Sequence, residues 1–382
     1  MFGPYKAKKI SGKKVIEYQG NKIDKPISNI NSVKFTKKIL ESRLDDIVKK
    51  EHFYHLHEID NSIFFASVEY FKKIGADWCN LPLTTKMISS PGEVYSSKIL
   101  DYTTDTLPIN IEWFGSKDRI YLSESSQFYL ELRLLIDKVD KVFSIYNSFR
   151  KEPADFCHLS EFQHVEFEGK MGLGEVTKVY LGLLKHIVNY LLKHNKNNLG
   201  YFLTDKEIQN LEETFLSKNI VTISFKEALS MLYNDTKDRC YLEFSMKNFG
   251  AWEEVRLTEL FGKHVIVTDY PMMEIPFYHN IKKTDENGVL LAENADMILY
   301  GYREVIGSGK RISDPKVLSL KAKQFNLPLE DYAPYLRTRD YKNYKETSGF
   351  GMGWQRLTHW ILKLPVIWDA EHIPRGHYEP KP

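Results

Sequence analysis

Apolar residues recur at helical spacing over several long stretches of the chain and form short dense runs between them. Over 33–51 (VKFTKKILESRLDDIVKKE), Val33, Phe35, Ile39, Leu40, Leu44, Ile47 and Val48 fall near a 3.6-residue repeat, which predicts an amphipathic helix. A second helix is expected from Ser62 (FFASVEYFKKIG), ending near Gly75. It leads to a strand over 78–83, and Pro82, which has no N–H for a central ladder, places that strand at an edge. Further on, 119–124 predicts a short strand, 126–136 a helix, and 141–151 a strand entering a hairpin. Residues 176–194 carry Leu181, Leu184, Ile187, Val188 and Leu191 on one broad helical face. Residues 265–268 and 297–299 are expected as buried strands, and 357–364 as a helix. The polar stretch 195–218 is expected to leave the core. Near the start, 15–18 predicts one arm of a small hairpin turning through Gln19-Gly20-Asn21. Strands and helices do not alternate as βαβ units, and no Rossmann or P-loop glycine pattern precedes a helix. The pattern therefore predicts an α+β fold, an antiparallel β-sheet flanked by helices.

Composition changes this picture little. With 382 residues, 42% of them apolar, the chain can bury a large core. Its formal charge of +2 excludes a polycation that coats nucleic acid, although residues 1–50 hold 13 Lys/Arg against 5 Asp/Glu. Such a basic arm either contacts phosphates or is simply solvated. Cys79, Cys157 and Cys240 are odd in number and widely spaced, which argues against a disulfide framework and fits a reducing, cytoplasmic setting. No apolar run is long enough to span a membrane. His52, His55 and His57 form an HxxHxH cluster, but no further ligand types accompany it. A polar helix end or loop is the expectation there.

Two segments carry candidate chemistry. Phe149-Arg150-Lys151-Glu152 is followed by His158-Leu159-Ser160-Glu161-Phe162 and by Glu166-Phe167-Glu168. About 200 residues later stands Gly349-Phe350-Gly351-Met352-Gly353-Trp354-Gln355-Arg356-Leu357. Together they resemble motifs 2 and 3 of the class II aminoacyl-tRNA synthetases, most of all the asparaginyl and aspartyl branch. The resemblance extends over about residues 60–375. It implies the class II synthetase-like antiparallel sheet and the adenylation of an amino acid by ATP with Mg2+. The helix–strand–proline layout of 60–85 is similar to motif 1, which implies a homodimer.

Adenylation needs positioning and charge neutralisation as pyrophosphate leaves. By resemblance, Arg150 bridges the α-phosphate and the substrate carboxylate, and Arg356 meets the γ-phosphate; these are the two catalytic candidates. Glu152 is expected on the adenine amino group, His158 near the outer phosphates and Phe162 against the adenine ring. Gly353 lets the strand approach the nucleotide. Asp296 and Glu304 match the metal-binding pair, Glu304 also facing the nucleotide, as carboxylates suit magnesium. The amino-acid pocket is expected from Ser125, Gln127, Glu166 and Arg311. An acceptor at Glu166 facing a donor at Arg311 complements a carboxamide, so asparagine is expected first and aspartate second.

Several positions depart from the family pattern. Gln355 stands for the usual acid, Gly309 for a pocket serine, Leu130 for the lysine of the aspartyl branch, and Cys157 for an arginine. Pro91-Gly92 replaces the acid–glycine pair of a closing loop, although Glu93 is adjacent. The loop between Glu152 and His158 is short. Residues 1–60 read as a basic N-terminal extension without a full OB anticodon-binding barrel, and 61–382 as the catalytic domain. The expected activity is thus an ATP-dependent ligase that forms an aminoacyl-adenylate and passes the acyl group to a non-tRNA acceptor. An asparagine synthetase using aspartate and ammonia, a stand-alone asparaginyl-tRNA synthetase and a non-catalytic amino-acid sensor are the alternatives.

Overall fold

The computed structural model describes residues 3–18, 35–89, 108–151, 154–284 and 288–378. Strands β1 (Tyr5–Ile10) and β2 (Lys13–Tyr18) form an antiparallel hairpin. Strands β4 (Thr84–Thr85), β5 (Asn110–Ile111) and β6 (Ile120–Leu122) make a small sheet of their own, as do β11 (Ile281–Thr284) and β12 (Leu290–Ala292). The remaining eight strands form the central sheet. They are β3 (Asp77–Trp78), β7 (Lys141–Phe149), β8 (Glu161–Gly169), β9 (Ile220–Ser224) and β10 (His264–Thr268), then β13 (Ala295–Ile298), β14 (Glu304–Lys310) and β15 (Ser348–Gly353). Their order is β3-β7-β8-β15-β14-β13-β10-β9. Neighbours are antiparallel except at the two edges, where β3 runs with β7 and β9 with β10.

The two faces of this sheet differ because side chains alternate along each strand. On β8, Val165 and Phe167 point to one face and are fully buried. Phe167 stacks between Phe71 and Phe350, with ring centroids 5.8 and 5.6 Å away. The helix Leu173–His194 covers this face and buries Val176, Tyr180, Leu183, Leu184, Ile187, Val188 and Leu191. Each such leucine or isoleucine contributes ~1.5–3 kcal/mol by leaving water. His164, Glu166 and Glu168 occupy the other face, which carries the candidate site.

Four expectations need correction, the first being the strand over 78–83, which is present only as Asp77–Trp78. The helix from Ser62 starts earlier: Glu51–Lys73 is one continuous helix that takes in the histidine cluster and crosses the expected boundary at residue 60. Its histidines tie segments together. His52 Nε2 lies 2.8 Å from the Asp369 carbonyl, and His55 stacks on Tyr201 at 4.4 Å. Residues 195–218 do not leave the core. Helices Lys196–Phe202 and Asp205–Glu212 bury Leu199, Phe202, Ile208 and Leu211, and each is too short for its apolar period to stand out among the polar residues. The hairpin, finally, turns at Ser11-Gly12, so 15–18 is its second strand. Residues 19–21 lie outside the described residues. No helix among the described residues is long and apolar enough to cross a membrane.

The hairpin is docked on the body. Tyr5 is 2% exposed, stacks on Tyr302 at 5.8 Å and meets Phe156 edge-on at 5.0 Å. Its hydroxyl donates to the Pro365 carbonyl (2.8 Å) and lies 2.9 Å from His359 Nε2. Lys14, one of the expected basic-arm residues, pairs with Glu253 at 2.6 Å. Tyr5→Ala should therefore cost about 3–5 kcal/mol in urea unfolding, and Tyr5→Phe about 1–3 kcal/mol for the lost hydroxyl. An unchanged midpoint in Tyr5→Ala would mean that the hairpin is not part of the core.

Candidate active site

The site face of the sheet is unusual for what it lacks. Register pairs Gly307 with Gly351 and Gly309 with Gly349, so β14 and β15 present a patch of floor without side chains. On β8, Glu166 lies opposite Gly351 and Glu168 opposite Gly349. A Cβ on Gly349 would overlap the Glu168 carboxylate and the Phe167 carbonyl, which is why glycine stands there. Gly353 is different, since a Cβ would make only ordinary contacts, 3.5 Å or more, with Arg356.

A cavity opens beside this floor. Its wall includes Arg150, His158, Phe162, His164, Glu304, Gly351, Gly353 and Arg356, so most of the residues expected at the nucleotide converge on it. Arg150 follows β7 directly, its backbone N–H donating to the Ser160 carbonyl (2.9 Å). Its guanidinium carbon lies 5.2 Å from the Phe162 ring centroid. Arg356 sits on the helix Trp354–Ile361, whose first residue is tied to the long N-terminal helix by Trp354 Nε1 donating to Asp60 (2.9 Å). Arg356 Nη1 donates to the Glu304 carbonyl at 3.0 Å. Glu152 lies outside the described residues, as do Pro91, Gly92 and Glu93.

Positive charge dominates this wall. Burial pushes the His158 pKa down, while Cys157 and Asp155 beside it push it up. Its Nδ1 lies 2.9 Å from Asp155, and Arg303 Nη1 donates to its Nε2 at 3.2 Å, the pattern of an imidazole that carries its proton on Nδ1. Cys157, standing for an arginine, has its Sγ 3.2 Å from the same Arg303 Nη1, so a guanidinium still occupies this corner. Asp155, Cys157 and His158 have donor atoms within 4.8 Å of one another, but the adjacent Arg303 makes a poor neighbour for a cation. His164, by contrast, is held well below its ordinary pKa by burial and by Arg150 and Arg356, and is neutral.

Asp296 and Glu304 lie on neighbouring strands near the cavity. Burial pushes both pKa values up, Glu304 raising Asp296 further, while Glu254 does the same to Glu304. Asp296 accepts from the Ser308 N–H at 2.9 Å, and Glu254 accepts from Arg303 Nε at 2.7 Å. Buried carboxylates that repel one another in this way fit a bound divalent cation. Glu254 and Arg303 had no signal in the sequence, because Glu254 arrives from a separate helix, Ala251–Phe261.

The residues expected at the amino acid sit further along the sheet and are more tightly packed. Ser125 Oγ donates to Glu166 Oε1 at 2.6 Å. Glu166 is 2% exposed, burial raises its pKa against the pull of the Ser125 and Tyr146 hydroxyls, and its Oε2 accepts no close hydrogen bond among the described residues. Arg311 was expected to face Glu166 across the pocket. Its guanidinium is forked onto Glu168, with Nε 3.1 Å from Oε1 and Nη2 2.9 Å from Oε2, a partner the sequence reading did not name. Gly349 leaves the room for that pair. Gln127 also donates to Glu168. Glu168 shares the face of Glu166 two residues away, so strand alternation alone could have nominated it. Removing one partner of such a buried pair typically costs about 3–5 kcal/mol. Leu130 does not face the pocket; it packs among Cys79, Leu81, Val142 and Tyr146.

Gln355 also has a structural explanation. Its Oε1 accepts from the Gln163 N–H (2.9 Å) and its Nε2 donates to Glu371 (2.7 Å), a pairing that an acid could not make.

The sequence matches the family "tRNA synthetases class II (D, K and N)" over residues 100–377. The asparagine–tRNA ligase of Lactobacillus delbrueckii subsp. bulgaricus is 30% identical over 320 residues, covering 83% of this chain and 68% of that protein. That of Thermoplasma acidophilum is 28% identical over 342 residues, covering 88% and 72%. The crystal structure of asparaginyl-tRNA synthetase from Pyrococcus horikoshii complexed with asparaginyl-adenylate superposes with a TM-score of 0.73 at 26% identity, covering 96% of this chain and 77% of that one.

Proposed function

This chain belongs to the class II tRNA synthetases of the D, K and N group, ATP-dependent ligases, and from that membership we propose that it condenses asparagine with ATP into asparaginyl-adenylate. The observation that carries the choice of amino acid is the buried Glu166 Oε2, which accepts no close hydrogen bond among the described residues. A substrate amide N–H would satisfy it, whereas an aspartate side chain would set like charge against it. In the reaction the asparagine carboxylate attacks the α-phosphorus, the bond to the β-phosphate oxygen breaks, and pyrophosphate leaves.

Arg150 would hold the attacking carboxylate and the α-phosphate together, as a forked guanidinium can. Phe162 offers the adenine a flat apolar surface, and His158 and the Arg356 guanidinium meet the outer phosphates. Asp296 and Glu304 would hold a magnesium ion, whose charge offsets theirs and that of the phosphates. The neutral His164 adds no charge that would compete for the carboxylate.

Asparagine-dependent ATP–pyrophosphate exchange is the expected activity. Arg150→Ala should lower its rate by two to three orders of magnitude, equivalent to about 3–4 kcal/mol of lost transition-state stabilisation. ATP binding without exchange for any amino acid would turn the reading towards a sensor.

The acceptor we propose is a nucleophile other than tRNA. The support is the inward turn of the described part of the loop between β7 and β8, where Phe156 and Cys157 are fully packed. A second reading, transfer to tRNA, is favoured by relatives that are asparagine–tRNA ligases. Labelled asparagine incubated with total tRNA should leave no acid-precipitable aminoacyl-tRNA; stable charging would establish the second reading instead.

We also propose that two copies pair through the edge of the sheet. The helix Glu51–Lys73 and β3 leave Phe64, Phe65 and Trp78 exposed there, 43%, 51% and 62% respectively. Sedimentation at micromolar concentration should return the mass of a dimer, reduced to a monomer by Trp78→Glu. A monomeric wild type would count against it.

A further inference from the structure

One buried polar group beside the pocket is left unexplained by the preceding roles. His279 is 8% exposed, and its Nδ1 is buried without a hydrogen-bond partner. Most buried polar groups are satisfied, so an orphaned imidazole nitrogen calls for an explanation. Residue 279 is bridged to Arg311 across an irregular extension of the sheet, and Asn280 N–H donates to the Lys310 carbonyl at 2.7 Å. This puts the ring over Gly309, at the end of the bare floor away from β8.

The space at Gly309 is filled by that ring. A Cβ there would lie 2.7 Å from His279 Cε1 and 2.8 Å from Nδ1. The serine expected at 309 and the imidazole at 279 therefore exclude one another, and in this chain the imidazole takes the volume. Burial and the Arg311 guanidinium hold its pKa well below the ordinary value, so the ring is neutral and can give or accept a hydrogen bond without adding charge.

We propose that His279 is a specificity-determining residue of the amino-acid site, hydrogen-bonding the substrate's side-chain oxygen beside Arg311, across the glycine floor from Glu166. This rests on the asparaginyl-adenylate reading and assigns its pocket a polar group in place of the serine hydroxyl. With Glu168 lying over Gly349 and the imidazole over Gly309, the floor left open at Gly307 and Gly351 has no side chain to contact a substrate laid over it. Recognition must come from its borders. Glu166 closes one border with an unfilled acceptor, and His279 closes the other with an unfilled nitrogen.

The test is amino-acid and ATP kinetics in pyrophosphate exchange, with wild type, His279→Leu, His279→Gln, Gly309→Ala and the His279→Leu/Gly309→Ala pair. His279→Leu should raise the asparagine KM about tenfold and leave the ATP KM within about twofold, as expected for one lost hydrogen bond. His279→Gln should recover part of that loss, because its amide can replace the polar contact. Gly309→Ala pushes directly on the ring and should raise the asparagine KM in the wild-type background, yet add little once His279 is leucine. This non-additivity holds the inference to account even if one variant is poorly stable.

An asparagine KM unchanged in both His279→Leu and Gly309→Ala overturns the inference. So does a parallel rise in both KM values that glutamine fails to recover, since that marks a merely structural ring. Should the wild type activate a different amino acid, the same readout applies to that amino acid, and the asparagine reading alone falls. A wild type that exchanges with no amino acid overturns both.

Discussion

Glycine faces glycine twice across β14 and β15, and the polar groups of the site are arranged around the volume those missing side chains leave. The constraint is steric before it is chemical. Glu168 can lie across Gly349 and fork onto Arg311 only because residue 349 has no Cβ. That buried pair then fixes one end of the pocket. Gln127 adds a third contact, and Glu131, bonded to Arg339 at 2.8 Å, stands behind it. Rigid placement matters because a misplacement of an ångström at a reacting centre is costly.

The opposite face of the same strands supplies that rigidity. Phe71, Phe167 and Phe350 stack in register beneath the glycines, and the long helix Leu173–His194 closes over them. A further clamp joins Asp60 to Trp354 at the start of the helix that bears Arg356. The Tyr5 hairpin packs on Phe156 and Tyr302, directly behind Cys157 and Arg303. A segment whose lysines suggest a solvated arm therefore buttresses the cationic wall of the cavity.

The long elements were legible in the sequence because their periods repeat over many residues. The helix expected over 176–194 runs from Leu173 to His194, and the strand expected over 141–151 from Lys141 to Phe149. Segments whose apolar period is short misled: Lys196–Phe202 and Asp205–Glu212 each offer too few buried residues to outweigh their polar ones. At the site, Arg150, His158, Phe162 and Arg356 could be named from the two motifs and Glu304 from the expected metal-binding pair, and the cavity gathers them. Pairings were harder. Nothing in the order of residues reveals that Arg311 chooses Glu168, that Arg303 reaches Cys157, or that His279 lies over Gly309. Those contacts depend on strand register across residues far apart in the chain.

On the proposed reading, charge would let two neighbouring parts of the site take a polyphosphate and an uncharged side chain. Guanidinium groups crowd the end proposed for the nucleotide, where Arg150 and Arg356 line the cavity and Arg303 stands beside His158. At the amino-acid end, Arg311 is already matched by Glu168, and Glu166 keeps an unfilled acceptor. A neutral carboxamide suits that balance better than a second carboxylate. The most direct measurement is calorimetric affinity for two non-hydrolysable adenylate analogues, asparaginyl- and aspartyl-sulfamoyl adenosine. Binding of the asparaginyl compound should be tighter by about tenfold to a hundredfold, the range for a matched rather than mismatched buried hydrogen-bond pair. Equal affinities, or a preference for the aspartyl compound, would contradict the account.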